Sequence, residues 1–182
     1  MTQLVITIVG DDRPGIVESL AAVVADHGGN WLSSSLSDLA GQFAGIIEVA
    51  VDDSRCDDLA AAIGALKGLQ VHSVKGRAES EPSGQSMATL DVVGVDQPGI
   101  VRRLTLLLKN NGVNLLQFAS WTESAPNSGD ELFRAVAEFE MTEAVDLDSL
   151  SAGLEDLADD MALEIELELD DDEGEDLGGD ED

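Results

Sequence analysis

Residues 10–31 read GDDRPGIVESLAAVVADHGGNW, and residues 94–115 read GVDQPGIVRRLTLLLKNNGVNL. The two stretches align without a gap, so Asp12 stands against Asp96 and Asn30 against Asn114, 84 residues on in each case. Each carries Asp-x-Pro-Gly-Ile-Val, then a helical run, then Gly-x-Asn. A repeat at fixed spacing is the first feature to look for in a chain, because it sets the architecture.

The repeat extends outward from both stretches. QLVITIVG and MATLDVVG precede them and are rich in β-branched residues, as strands are. WLSSSLSDL and LLQFASW follow as second strands. FAGIIEVAV (43–51) matches FRAVAEFEM (133–141), now offset by 90 residues. The six extra residues fall in WTESAPNSGDEL, which reads as an enlarged hairpin loop. DDLAAAIGAL (57–66) then matches LDSLSAGLEDL (147–157), and each copy ends on an alternating run, LQVHSV or LEIELEL.

Each unit is therefore expected to be β-α-β-β-α-β, an α+β fold with antiparallel strands and helices on one face. Pro14 and Pro98 are expected just inside helix starts, where a missing N–H costs nothing. Asp12 and Asp96 are expected as N-caps. Ile16, Val17, Leu20 and Val24 share one helical stripe, as do Ile100, Val101, Leu104 and Leu108. Gly28 and Gly112 are expected to end the helices in the left-handed conformation. In the first strand Val5, Thr7 and Val9 alternate with Leu4, Ile6 and Ile8. Both faces are then partly apolar, and the second face is expected to be covered by another unit or joined through sheet edges. The expected domains are 1–75 and 87–169, with a polar linker at 76–86 and an acidic, disordered tail at 170–182.

Composition narrows the function. Aromatic residues are 3% of the 182 and tyrosine is absent, so the core must be Leu, Val, Ile and Ala. No apolar run reaches the ~20 residues of a membrane span. The start lacks a basic segment and a cleavage site, so no signal peptide is expected. A single cysteine, Cys56, allows no internal disulfide and fits a cytoplasmic protein. The net charge is −29, and removing the twelve acids of 164–182 still leaves −17. Such a field repels phosphate, so direct nucleic-acid binding is not expected. Arg102, Arg103 and Lys109 on one helix read as a solvated face.

Catalytic groupings are sparse. His27 sits at a helix C-terminus and His72 in a strand alternation, and no His/Cys spacing suits a metal. Ser33, Ser34 and Ser35 lack the strand-turn-helix setting of an activated serine. Cys56 opens a helix among aspartates that oppose thiolate formation. No cofactor is expected. The stronger candidates are the loops Gly10–Ile16 and Gly94–Ile100. Free N–H groups at a helix start attract a carboxylate. Asp12 or Asp96 can take an ammonium, and Gly15 and Gly99 permit close approach. Together these suit a zwitterion. Asn30 and Asn114 are expected to bring amide groups to the same corner.

At these residues the chain resembles the ACT domain family, whose signature is strand–DxPG–helix–GxNI. Two ACT-like units cover about residues 3–169. The tandem arrangement and the longer loop at 123–130 resemble the glycine cleavage system transcriptional repressor family. The resemblance implies a ferredoxin-like βαββαβ fold in each unit. It implies units paired side by side, within the chain or in a homodimer, with small amino acids bound at the interface. It implies a regulator that senses an amino acid, glycine first among them, and contacts a protein partner such as a DNA-binding activator. The other implied reading is an accessory subunit of an amino-acid or folate enzyme. Carried over position by position, the expected ligand contacts are Asp12, Arg13, Gly15, Ile16 and Asn30 in the first unit. In the second they are Asp96, Gln97, Gly99, Ile100 and Asn114. Gly10 and Gly94 depart from members that carry a polar side chain there, and Arg13 against Gln97 makes the two loops unequal.

Overall fold

The structure is a computed structural model, and it describes residues 1–76, 86–126 and 129–170. The chain divides into two compact units, Met1–Glu81 and Pro82–Asp182. The first contains β1 (Thr2–Asp11), α1 (Ile16–Asp26), β2 (Asn30–Leu39), β3 (Gln42–Val51), α2 (Cys56–Gly64) and β4 (Leu69–Lys75). The second contains β5 (Met87–Val95), α3 (Ile100–Asn110), β6 (Leu115–Ser124), β7 (Glu131–Glu140), α4 (Leu147–Met161) and β8 (Leu163–Leu169). The linker expected at 76–86 lies outside the described residues except for Gly76 and Ser86, and the tail except for Asp170.

Both sheets are antiparallel, with strand orders β2-β3-β1-β4 and β6-β7-β5-β8. The registers repeat as the sequences do. Gly10 faces Phe43 and Gly94 faces Phe133. This is the tandem ferredoxin-like, ACT-type fold.

Strand alternation sends Leu4, Ile6 and Ile8 to the helix-covered face, where each is nearly inaccessible. Ile16, Leu20 and Val24 of α1 meet them, one turn apart along a single stripe. Leu104 and Leu108 do the same in the second unit, against Leu90, Phe139 and Leu150. Each such side chain contributes about 1.5–3 kcal/mol relative to exposure. Val17 and Val101 lie off this stripe and are exposed, 43% and 40%. One residue is a ~100° rotation around a helix, enough to carry both out of the core.

The helix ends follow the glycines. Gly28 has φ +70 and Gly112 φ +78. In α1 the Gly29 N–H reaches Val24 O at 2.9 Å and the Gly28 N–H reaches Ala25 O at 2.9 Å. In α3 Val113 and Gly112 bond Leu108 and Lys109 in the same pattern, so both helices end in a Schellman motif.

Other expectations need correcting at the helix starts and the hairpin. The N-caps are Gly15 and Gly99, not Asp12 and Asp96, and no side chain caps either helix. Pro14 and Pro98 consequently lie in the turn before the helix. The cause is backbone geometry: both glycines are left-handed (φ +87 and +102), which delays the helix start. The enlarged hairpin is also shorter than expected, because Trp121–Ser124 pair with Glu131–Arg134 as strand. Finally, α4 runs on to Met161, four residues past the matched segment, with Asp146 capping it through Ser149 N–H at 3.2 Å.

Candidate functional site

The β1–α1 and β5–α3 corners are built alike. The Asp12 N–H bonds Gly41 O at 2.9 Å, and the Asp96 N–H bonds Glu131 O at 2.8 Å. The strand-to-helix loop is thus tied to the neighbouring hairpin, and both aspartate side chains stay exposed. The Arg13 guanidinium donates to Lys67 O at 3.0 Å, and the Gln97 amide donates to Met161 O at 2.8 Å. Both side chains anchor the loop near the C-terminal end of the second helix of their unit, Arg13 just past α2 and Gln97 at the last residue of α4. Arg13 and Gln97, expected as ligand contacts, are held by structural bonds in this state.

Ile16 and Ile100 were expected at the site too. Their side chains belong to the cores, 3% and 2% exposed, because they begin the buried stripe. Gly15 and Gly99 lie beside open space, since a Cβ built on either would meet no atom within 4 Å. Their left-handed φ explains the glycine, and the open space leaves the helix N–H groups accessible.

Gly10 and Gly94 have the opposite explanation. A Cβ on Gly10 would stand 2.2 Å from Gly68 O, and one on Gly94 2.5 Å from Leu163 Cδ2 and 2.9 Å from Ala162 O. The chain entering β4 or β8 fills the space a side chain would need.

The asparagines are not at these corners. Asn30 faces Ala50, whereas Asp11 at the loop faces Gln42. Those positions are eight residues apart on β3, about 26 Å at the usual strand rise. Leu115, next to Asn114, faces Phe139, seven residues from Leu132, the partner of Val95. The helix between them spans the unit and delivers each asparagine to the opposite end of the sheet.

A hollow of about 600 Å³ opens at the second corner. Asp96, Gln97, Gly99, Ile100, Val101, Arg102, Thr105 and Phe133 line it. At the end of β1 a smaller hollow of about 320 Å³ is lined by Val9, Gly10, Asp11, Gln42, Gly68, Leu69 and Gln70, and takes none of the predicted contacts.

The residues that best separate the corners were not predicted. Arg102 aligns with Glu18, so the first turn of α3 has an arginine where α1 has an acid. Arg103, beside it, pairs with Asp160 at 2.7 Å, while Arg102 makes no ion pair among the described residues. The ungapped alignment contained this signal in the opposed charges at one helix position. The remaining reactive candidates have structural places. Cys56 is 1% exposed in the core. His27 Nδ1 lies 2.8 Å from Val23 O, and Ser33 donates to Glu48 at 3.0 Å. Among the described residues no group of His, Cys, Asp or Glu could hold a metal, and no helix is long and apolar enough to cross a membrane.

Residues 2–71 match the sequence model of the ACT domain family. That match covers most of the first unit, and the second unit repeats the same strand order, so the chain carries the ACT-type fold twice in tandem. Among solved structures, an unknown protein from Galdieria sulphuraria is 27% identical with a TM-score of 0.77, over 92% of this chain and 98% of its own. A candidate glycine cleavage system transcriptional repressor has the same fold at 17% identity and a TM-score of 0.60, over 92% and 96% of the two chains. A curated UPF0237 protein of Methanopyrus kandleri is 37% identical over 54 residues, 30% of this chain. The chain spans 60% of that relative's length.

Proposed function

We propose that the chain is a non-catalytic regulator of amino-acid metabolism. In this reading it works in the cytoplasm, binds a small amino acid and acts by contact with another protein. The observation that carries the proposal is the hollow at the start of α3. Its free N–H groups and Arg102 suit a carboxylate, and Asp96 suits an ammonium. Glycine is the first ligand to try, and the likeness to a candidate glycine cleavage repressor is the reason to begin there. Regulation then follows from differential affinity, because a ligand shifts only an equilibrium whose states it binds unequally. Repression of transcription through a DNA-binding activator is the form of output this favours, since the net charge of −29 disfavours DNA itself.

Calorimetric titration with glycine, serine and the branched-chain amino acids tests the reading. Saturable heat with one of them, lost in Asp96→Ala and Arg102→Ala, is expected. No heat and no thermal shift at millimolar ligand would overturn it.

A further inference from the structure

The open face of the second sheet carries a chemistry that the first lacks. Strand alternation turns Asp91, Glu138, Glu164, Glu166 and Glu168 away from the helices. In the equivalent register of the first sheet, Asp91, Glu164, Glu166 and Glu168 are replaced by Thr7, Gln70, His72 and Val74. Only Glu48, the counterpart of Glu138 in the first sheet, keeps its charge. On top of the chain's general acidity, the carboxylates of the open sheet face are therefore concentrated in the second unit.

Two simpler accounts fall short. Charges on an edge strand block unwanted pairing, which would explain β8. They do not explain Asp91 and Glu138, which lie on the inner strands β5 and β7. Solubility does not explain why Asp91 stands directly opposite Glu166. Like charges so placed destabilise a sheet. Among the described residues the one base on the face, Arg134, is already taken by Glu123 at 2.6 Å.

The same face holds an exposed indole. Trp121, 45% accessible, stands where the first sheet has Ser37. With Val93, Val136 and the carboxylates Asp91, Glu164 and Glu166 it lines a hollow of about 570 Å³. An aromatic anchor within a field of one sign is the complement of a cationic, partly apolar segment. A second copy of this face would set carboxylate against carboxylate, and a nucleic acid would be repelled.

We propose that the open face of the second sheet docks a basic, amphipathic segment of a partner protein. Lysine or arginine side chains lie over Asp91, Glu138 and the three glutamates of β8, and apolar side chains lie against Trp121. This rests on the reading of the chain as a regulator that works through protein contact.

The test uses the full chain with Trp31→Phe, in which Trp121 is the only remaining indole. The probe is a heptapeptide of alternating lysine and leucine. Saturable binding with a change in Trp121 emission is expected, weakening at least tenfold from 50 to 300 mM salt. Combined Glu164→Gln, Glu166→Gln and Glu168→Gln should weaken it about tenfold or more. Combined Asp26→Asn, Asp57→Asn and Asp58→Asn changes net charge equally on exposed helix positions and should weaken it less than twofold. Equal weakening by the two triples would overturn the proposal, as would a silent Trp121 or equal binding of a glutamate–leucine peptide. Thermal melts of both triples establish that they fold. Glycine calorimetry on the same samples reads the α3 corner, so failure of the face is distinguishable from failure of the regulatory reading.

Discussion

Alanine at Gly10 should damage the first unit, and by more than alanine at Gly94 damages the second. At an ordinary strand position Gly→Ala gains about 0.5–1 kcal/mol. Here the new Cβ would lie 2.2 Å from Gly68 O, a backbone atom that cannot move without β4. Overpacking of this kind costs about 1–3 kcal/mol, and a main-chain clash belongs at the upper end. We therefore expect a loss of about 2–3 kcal/mol in the first unit. At Gly94 the nearest atom is Leu163 Cδ2, which can rotate, with Ala162 O behind it at 2.9 Å. A loss of about 1 kcal/mol is expected there. Each unit has one tryptophan, Trp31 or Trp121, so each transition has its own reporter. In a Trp121→Phe background, urea unfolding followed through Trp31 should show a midpoint lowered by about 2–3 M, taking a slope near 1 kcal/mol per M for a unit this small. In a Trp31→Phe background, Gly94→Ala should shift the Trp121 transition by about 1 M or less. An unchanged Trp31 midpoint would refute the packing argument. So would equal shifts in the two units. The result bears on function, because it decides whether a polar side chain could ever serve a ligand from this position.

Three further outcomes follow from the geometry. Asn114→Ala should leave amino-acid affinity at the α3 corner within twofold, and Arg102→Ala should lower it at least tenfold; titration calorimetry that finds the reverse would move the site to the other end of the sheet. Glu123 should titrate below the usual 4.5, chiefly because Arg134 donates to it at 2.6 Å. Its folded value is depressed, so its stabilising effect is present above the usual value and fades as pH falls through the lower one; carbon-detected NMR should show this, and Arg134→Gln should raise the midpoint. Cys56 is buried and should react with a thiol reagent no faster than the first unit opens, so its labelling rate in urea should track the Trp31 transition.

Much of the fold is legible because local chemistry and tertiary structure agree. The β-branched runs, the helical stripes and Gly28 and Gly112 each point to the same element boundaries. The N-caps depart from the sequence pattern for a specific reason. Aspartate before Pro-Gly satisfies the average preference for a cap, but Gly15 and Gly99 turn left-handed and the backbone N–H of each aspartate is bound by the adjacent hairpin. The asparagines lie away from the loops because closeness in sequence across a helix is not closeness in space. An eleven-residue helix is about 16 Å long, and that length alone places its two ends at opposite ends of a unit. The acidic face was half visible as LEIELEL. Asp91 and Glu138 join it only once the registers of β5, β7 and β8 are known.

The divergence at one aligned position links stability to the proposed site. A helix start favours negative charge by about 0.3–1 kcal/mol and disfavours positive charge similarly. Glu18 follows that preference in α1, and Arg102 opposes it in α3. The neighbouring Arg103 is offset by Asp160, while Arg102 projects into a hollow that also contains Asp96. A carboxylate bound there would satisfy the free N–H groups of α3 and relieve the unfavourable charge in one step. The same carboxylate at α1 would meet Glu18. The repeat holds two corners of one geometry, and on the proposed reading the opposed charge at this one position favours an anion at the second and leaves the first a self-sufficient helix start.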